Sequence, residues 1–99
     1  MINSSNLKEF ISFGNFLADE SEIVIKEYFR KTFTTEIKDD LTPVTIADKN
    51  TEQRIRNLIK KKYPNHGILG EEFEGLNPDN EFIWVIDPID GTMSFIAGH

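Results

Sequence analysis

Trp84-Val85-Ile86-Asp87-Pro88-Ile89-Asp90-Gly91-Thr92-Met93-Ser94-Phe95 is the stretch that decides how this chain is read. Phe82 to Ile86 is apolar without alternation, the pattern of a strand covered on both faces. It runs into two acids, Asp87 and Asp90, separated by a proline that fixes the turn and donates no hydrogen bond. Gly91-Thr92 then leads into a segment read as a helix, whose N-terminus would welcome a phosphate. Two carboxylates ~4 Å apart at an effective dielectric near 20 repel by about 4 kcal/mol. A divalent cation between them removes that repulsion.

Working outward, Ile68-Leu69-Gly70 reads as a short strand delivering Glu71 and Glu72. If it lies beside the Phe82–Ile86 strand, Glu71, Asp87 and Asp90 meet at one sheet edge, where α/β proteins place ligands. Three hard oxygen ligands suit Mg²⁺, and the Ile89 carbonyl is a further donor. Taken alone, Glu72 reads as a solvated loop acid. Further upstream, Ile46 to Lys62 has helical periodicity with Thr45 as its N-cap. Asp48, Glu52, Ile55 and Ile59 share one face of that helix. An acid heading an apolar stripe points to use, but Thr45-x-x-Asp48 is equally a capping-box pattern. Thr92 reads either as a simple N-cap or as a hydroxyl and amide beside a ligand. His66, in the turn Tyr63-Pro64-Asn65-His66-Gly67, is read as structural, and Lys38 as a solvated charge.

At the start, Leu7, Phe10, Ile11, Gly14, Leu17, Ala18, Ser21, Val24, Ile25 and Tyr28 recur at helical spacing, giving a helix from Leu7 to Phe29. Asn6 and Glu9 form a capping-box pattern. Phe13, Phe16 and Ile23 fall off the stripe and imply a second contact surface. Thr32 to Lys38 alternates as a strand, and Asp39-Asp40-Leu41-Thr42-Pro43 is a turn.

The chain has 99 residues, a net charge of −6, 38% hydrophobic residues, eight phenylalanines and no cysteine. That length allows one thin-cored domain, and the composition argues against disorder. The acidic balance disfavours nucleic acid and anionic membrane as partners, while a metal-filled acidic site still admits phosphorylated substrates. Without cysteine there is no disulfide or thiolate site. The start, Met1-Ile2-Asn3-Ser4-Ser5, shows no signal peptide, and no apolar run spans a bilayer, so a cytoplasmic protein is expected.

Thr45-Ile46-Ala47-Asp48, Gly70-Glu71-Glu72 and Trp84 through Thr92 occur in an order and at separations that resemble the inositol monophosphatase family of Mg²⁺-dependent, often lithium-sensitive phosphatases. The likeness covers nearly all the chain from Pro43 onward. It implies an α/β fold: the N-terminal portion of a layered sandwich, with two helices packed on a mainly antiparallel sheet. It implies that Glu71, Asp87 and the Ile89 carbonyl hold one metal, and that Asp87 and Asp90 hold a second. Gly91 and Thr92 would bind the substrate phosphate, and Asp48 and Thr92 would orient the attacking water. Glu72, within the matched Gly-Glu-Glu, is kept as a candidate catalytic acid. His66 to Glu72 with Ser94-Phe95-Ile96 resembles the histidinol-phosphatase branch most.

Family members run well over twice this length, so residues 1–99 are read as an N-terminal portion of the domain. The expected activity is Mg²⁺-dependent hydrolysis of a small phosphate monoester, histidinol phosphate or inositol monophosphate. A homodimer is a candidate assembly of the full-length form. The alternative is an inactive metal-binding or self-associating module.

Overall fold

The computed structural model describes residues 4–32, 43–89 and 92–98. Helix α1 spans Ser4–Thr32 and helix α2 spans Pro43–Lys62. Strands β1 (Gly67–Leu69), β2 (Ile83–Ile89) and β3 (Thr92–Gly98) form one sheet in the order β1-β2-β3. β1 and β2 are parallel, while β2 and the longer partner β3 are antiparallel. The helices and sheet enclose the core, giving the expected α/β arrangement.

Helix α1 starts two residues before Asn6, so Asn6 lies inside the helix and is not its cap. The stripe that α1 buries is narrower than its periodicity implies. Phe10, Phe13, Leu17 and Ser21 are buried, whereas Leu7 and Ile11 are exposed. Phe13 is therefore a core residue, because a stack of aromatic rings draws the buried face toward it. Phe16 and Ile23 are exposed, as expected for residues off the stripe. The buried Ser21 hydroxyl donates to Leu17 O at 2.9 Å, and that of Thr51 on α2 to Ala47 O at 2.7 Å. Each polar group is thus satisfied within its own helix.

Helix α2 opens at Pro43. A proline suits the first helical position, where its missing N–H is an orphan anyway. Thr45 therefore sits within the first turn and does not cap the helix. The helix stops at Lys62, where three lysines complement the carbonyl end of the dipole. Ile55 and Ile59 of α2 join Ile68 of β1 and Trp84 and Ile86 of β2 in the core. Trp84 and Ile86 face the helices, while Ile83, Val85 and Asp87 alternate onto the other, half-covered face. The expectation of a strand covered on both faces is met only on the helix side.

Two further expectations change. β2 continues through Asp87 and Pro88 to Ile89, so Asp87 stands within the strand. Pro88 is tolerated because β1 pairs only with Ile83 to Val85, leaving β2 a single neighbour farther on. The segment from Thr92 is strand β3, not a helix. The open edge of β2 offers backbone donors and acceptors that a strand satisfies. The apolar-rich Met93-Ser94-Phe95-Ile96-Ala97 run pairs with it residue for residue. Of the strand expected at Thr32 to Lys38, Thr32 ends α1 and the remainder lies outside the described residues, as do Asp39 to Thr42 of the expected turn.

Candidate functional site

The register of the parallel pair sets the geometry. Leu69 pairs with Val85, so two residues farther along each strand direction the chain reaches Glu71 and Asp87. One acid thus follows the paired segment of each strand on its carboxyl side. Glu71 is exposed and Asp87 half-buried.

Helix α2 carries two further acids, Asp48 and Glu52. Its Ile59 packs in the core with Ile68, whereas Glu52, two turns earlier, meets the segment just after β1. α2 thus runs opposite to β1, with Glu52 against residues 70–73. Asp48 is half-buried and lies about 6 Å before Glu52 along the axis, at 1.5 Å per residue.

Glu52 is the residue whose role the sequence reading did not extract. It is buried, and its carboxylate is fully engaged. Arg56 Nε donates to Oε2 at 2.9 Å, Glu72 N–H to Oε1 at 3.1 Å and Phe73 N–H to Oε2 at 3.2 Å. Arg56 is buried too; its Nη2 donates to Phe73 O at 3.0 Å, and its guanidinium lies 5.7 Å from the Phe73 ring centroid. Gly70 completes the packing. A Cβ there would collide with Glu52 Oε1 and stand 2.5 Å from Cδ and 2.6 Å from Oε2. Only glycine lets the carboxylate approach the backbone this closely. The available signal was the i,i+4 Glu52–Arg56 spacing on a stripe that continues as Ile55 and Ile59.

Glu72 contributes its backbone N–H to Glu52, and its side chain is half-buried. Ile89 ends β2 and pairs with Thr92, the first residue of β3. The helix N-terminus expected to receive a phosphate at Thr92 is therefore replaced by a strand start. Asp90 and Gly91 lie outside the described residues. Among the described residues no group of three or more His, Cys, Asp or Glu side chains is gathered closely enough to hold a metal ion. Carboxylate oxygens such as those of Glu71 and Asp87 suit Mg²⁺ in kind.

His66 belongs to the opposite end of the strands. It accepts a hydrogen bond from Trp84 Nε1 on Nδ1 at 3.0 Å and stacks on Tyr63 with centroids 4.4 Å apart. Burial lowers its pKa, with the Glu9 carboxylate opposing. Burial and the hydrogen bond accepted at Nδ1 both favour the neutral imidazole, against the Glu9 carboxylate. The Tyr63 hydroxyl is buried without a hydrogen-bond partner in good geometry. Burial, reinforced by Glu9 nearby, pushes its pKa up to about 12.

The chain is recognised over residues 6–99 by the description of the inositol monophosphatase family. It is 44% identical over 99 residues to the chloroplastic bifunctional phosphatase IMPL2 of Arabidopsis thaliana, covering 98% of this chain and 29% of that protein. It is 46% identical over 83 residues to a histidinol-phosphatase of Chlorobaculum parvum, covering 83% of this chain and 32% of that protein. The crystal structure of inositol monophosphatase-II from Staphylococcus aureus superposes with a TM-score of 0.68 at 36% identity, over 84% of this chain and 30% of that one. With these likenesses, the chain belongs to the inositol monophosphatase family. It spans roughly a third of the length of the relatives it matches. No helix among the described residues is long and apolar enough to cross a membrane.

Proposed function

We propose that this chain carries part of the active centre of a Mg²⁺-dependent phosphatase for small phosphate monoesters, with histidinol phosphate the first substrate to test and inositol monophosphate the second. The observation that supports this reading is the parallel β1–β2 register, in which Leu69 pairs with Val85, two residues before Glu71 and Asp87. Names of the relatives support the reaction class, since they include a histidinol-phosphatase and inositol monophosphatases.

In this reading Glu71, Asp87 and the Ile89 carbonyl hold one cation, and Asp87 and Asp90 a second. Bound cations would neutralise the converging carboxylates and lower the pKa of nearby water from ~15.7 toward 7. Gly91 and Thr92 contribute backbone N–H groups to the phosphate. Asp48 and the Thr92 hydroxyl orient the attacking water in line with the leaving oxygen. Glu72 contributes to catalysis as a neighbouring acid while its backbone is held by Glu52. No side chain is required as a covalent nucleophile.

Phosphate release from histidinol phosphate and inositol 1-phosphate, measured with and without Mg²⁺, tests the proposal, with Asp87→Asn as the control. Mg²⁺-dependent release that disappears in Asp87→Asn is the expected result. A folded chain releasing no more phosphate than the control removes the enzymatic reading for these 99 residues. The self-associating alternative has exposed Phe16 and Ile23 on α1, about two turns apart on one side of the helix.

A further inference from the structure

We infer that Glu52 and Arg56 are positioning residues, which set the direction in which Glu71 is presented to a divalent cation. The inference rests on the metal-site reading above and extends it to side chains that hold no metal themselves. The Glu52 carboxylate is already engaged. Its oxygens already accept three N–H groups, one from a guanidinium, and the side chain is almost wholly enclosed. It is therefore neither a free ligand nor a free base.

What it can do is fix the backbone on both sides of Glu71. The Glu72 N–H belongs to the peptide plane joining Glu71 to Glu72, and its bond to Oε1 sets the orientation of that plane. On the other side, Gly70 lies against the same carboxylate, closely enough to exclude any Cβ. Phe73 is held through its N–H by Glu52 and through its carbonyl by Arg56. Glu71 is thus bracketed at its preceding and following residues by one buried ion pair, while its own side chain remains exposed. Buried partners of this kind orient ligands and change metal affinity without touching the ion.

The test is a Mn²⁺ titration of the chain followed by electron paramagnetic resonance, with near-ultraviolet circular dichroism reporting whether the Trp84 cluster stays packed. Glu52→Gln retains size but replaces one acceptor oxygen with a donor. Gly70→Ala leaves Glu52 in place and pushes its carboxylate away from the backbone. Each is expected to weaken Mn²⁺ binding by about tenfold or more with the fold intact. If Glu52→Gln does not fold, Gly70→Ala carries the test.

A purely structural role is separated by adding Glu71→Gln. Because Glu52 acts through Glu71, Glu52→Gln/Glu71→Gln should bind no more weakly than Glu71→Gln alone. Unchanged affinity in Gly70→Ala, or fully additive losses in the double variant, overturns the positioning role while leaving the metal site standing. Absence of Mn²⁺ binding in the unsubstituted chain, or binding that survives Asp87→Asn, overturns the metal-site reading and this inference with it.

Discussion

The two ends of the parallel strands β1 and β2 are built from opposite materials. At the amino end, Phe10, Phe13, Tyr63, His66, Phe82 and Trp84 pack ring against ring, with centroids from 4.4 to 6.5 Å apart. At the carboxyl end, Glu52, Arg56, Glu71 and Asp87 replace the rings. The first end gains its stability from removing apolar area from water, about 25 cal/mol per Å². The second gains order from charge-assisted hydrogen bonds around a buried ion pair, which contributes little net stability but is costly to break. A shared sheet thus separates a region that holds the fold from a region that presents acids to solvent.

The largest test of that division is Trp84→Ala. It removes the indole from the centre of the ring cluster and leaves His66 Nδ1 without its donor. A loss of about 3–5 kcal/mol is expected from urea denaturation, a large part of the stability of a small domain. A loss under 1 kcal/mol would contradict the assignment of stability to that end.

Breaking the ion pair at the other end should cost nearly as much for a different reason. Arg56→Met leaves Glu52 buried with its guanidinium partner gone, at about 3 kcal/mol. Its distinguishing mark is that amide hydrogen exchange should speed up at Glu72 and Phe73. Exchange that rises equally throughout the aromatic end would show that the two regions are not separable.

A smaller effect comes from pH. Burial holds the His66 pKa below the ordinary 6.5. Between that lowered value and 6.5 the unfolded chain binds more protons than the folded one. The stability from neutral His66 is therefore complete above about 6.5 and is lost as pH falls through the lowered value. Urea midpoints measured from pH 7.5 to 5 should decline in the unsubstituted chain. His66→Phe should lose this component of the slope while retaining any contribution from carboxylates.

The smallest expected effect is at the exposed face of α1. Ile23→Gln should change stability by no more than about 0.5 kcal/mol, because Ile23 is 55% exposed. A larger, concentration-dependent loss would place that face in an interface between copies.

The sequence made the two helices, the short strand before Glu71 and the strand through Trp84 legible. Their apolar spacings are long or distinctive enough to signal the element type. It misplaced their ends. Pro43 and Ser4 start the helices earlier than the polar capping patterns at Thr45 and Asn6 imply. β3 was misread because Met93 to Ala97 carries no strong local preference, and its state follows from pairing with the open edge of β2. Phe13 was placed off the buried stripe because periodicity finds a face but not the neighbours that widen or turn it.

The candidate acids were legible as residue types. Glu71, Asp87 and Asp48 carry their chemistry locally, and a short acidic run beside an apolar strand is visible without coordinates. The convergence expected of Glu71, Asp87 and Asp90 was conditional on β1 and β2 being neighbours; the two strands do pair in parallel, while Asp90 lies outside the described residues. Glu52 was hidden because its importance lies in what lies 20 residues ahead, the Glu72 amide. By itself the sequence determined the α/β elements and the acids available for a site, since periodicity and side-chain chemistry are local properties. Only the tertiary structure decided which end of the strands is packed and which is polar. It also made Glu52 the anchor of the Glu71 segment, because burial and hydrogen-bond partnership exist only once distant residues share a neighbourhood.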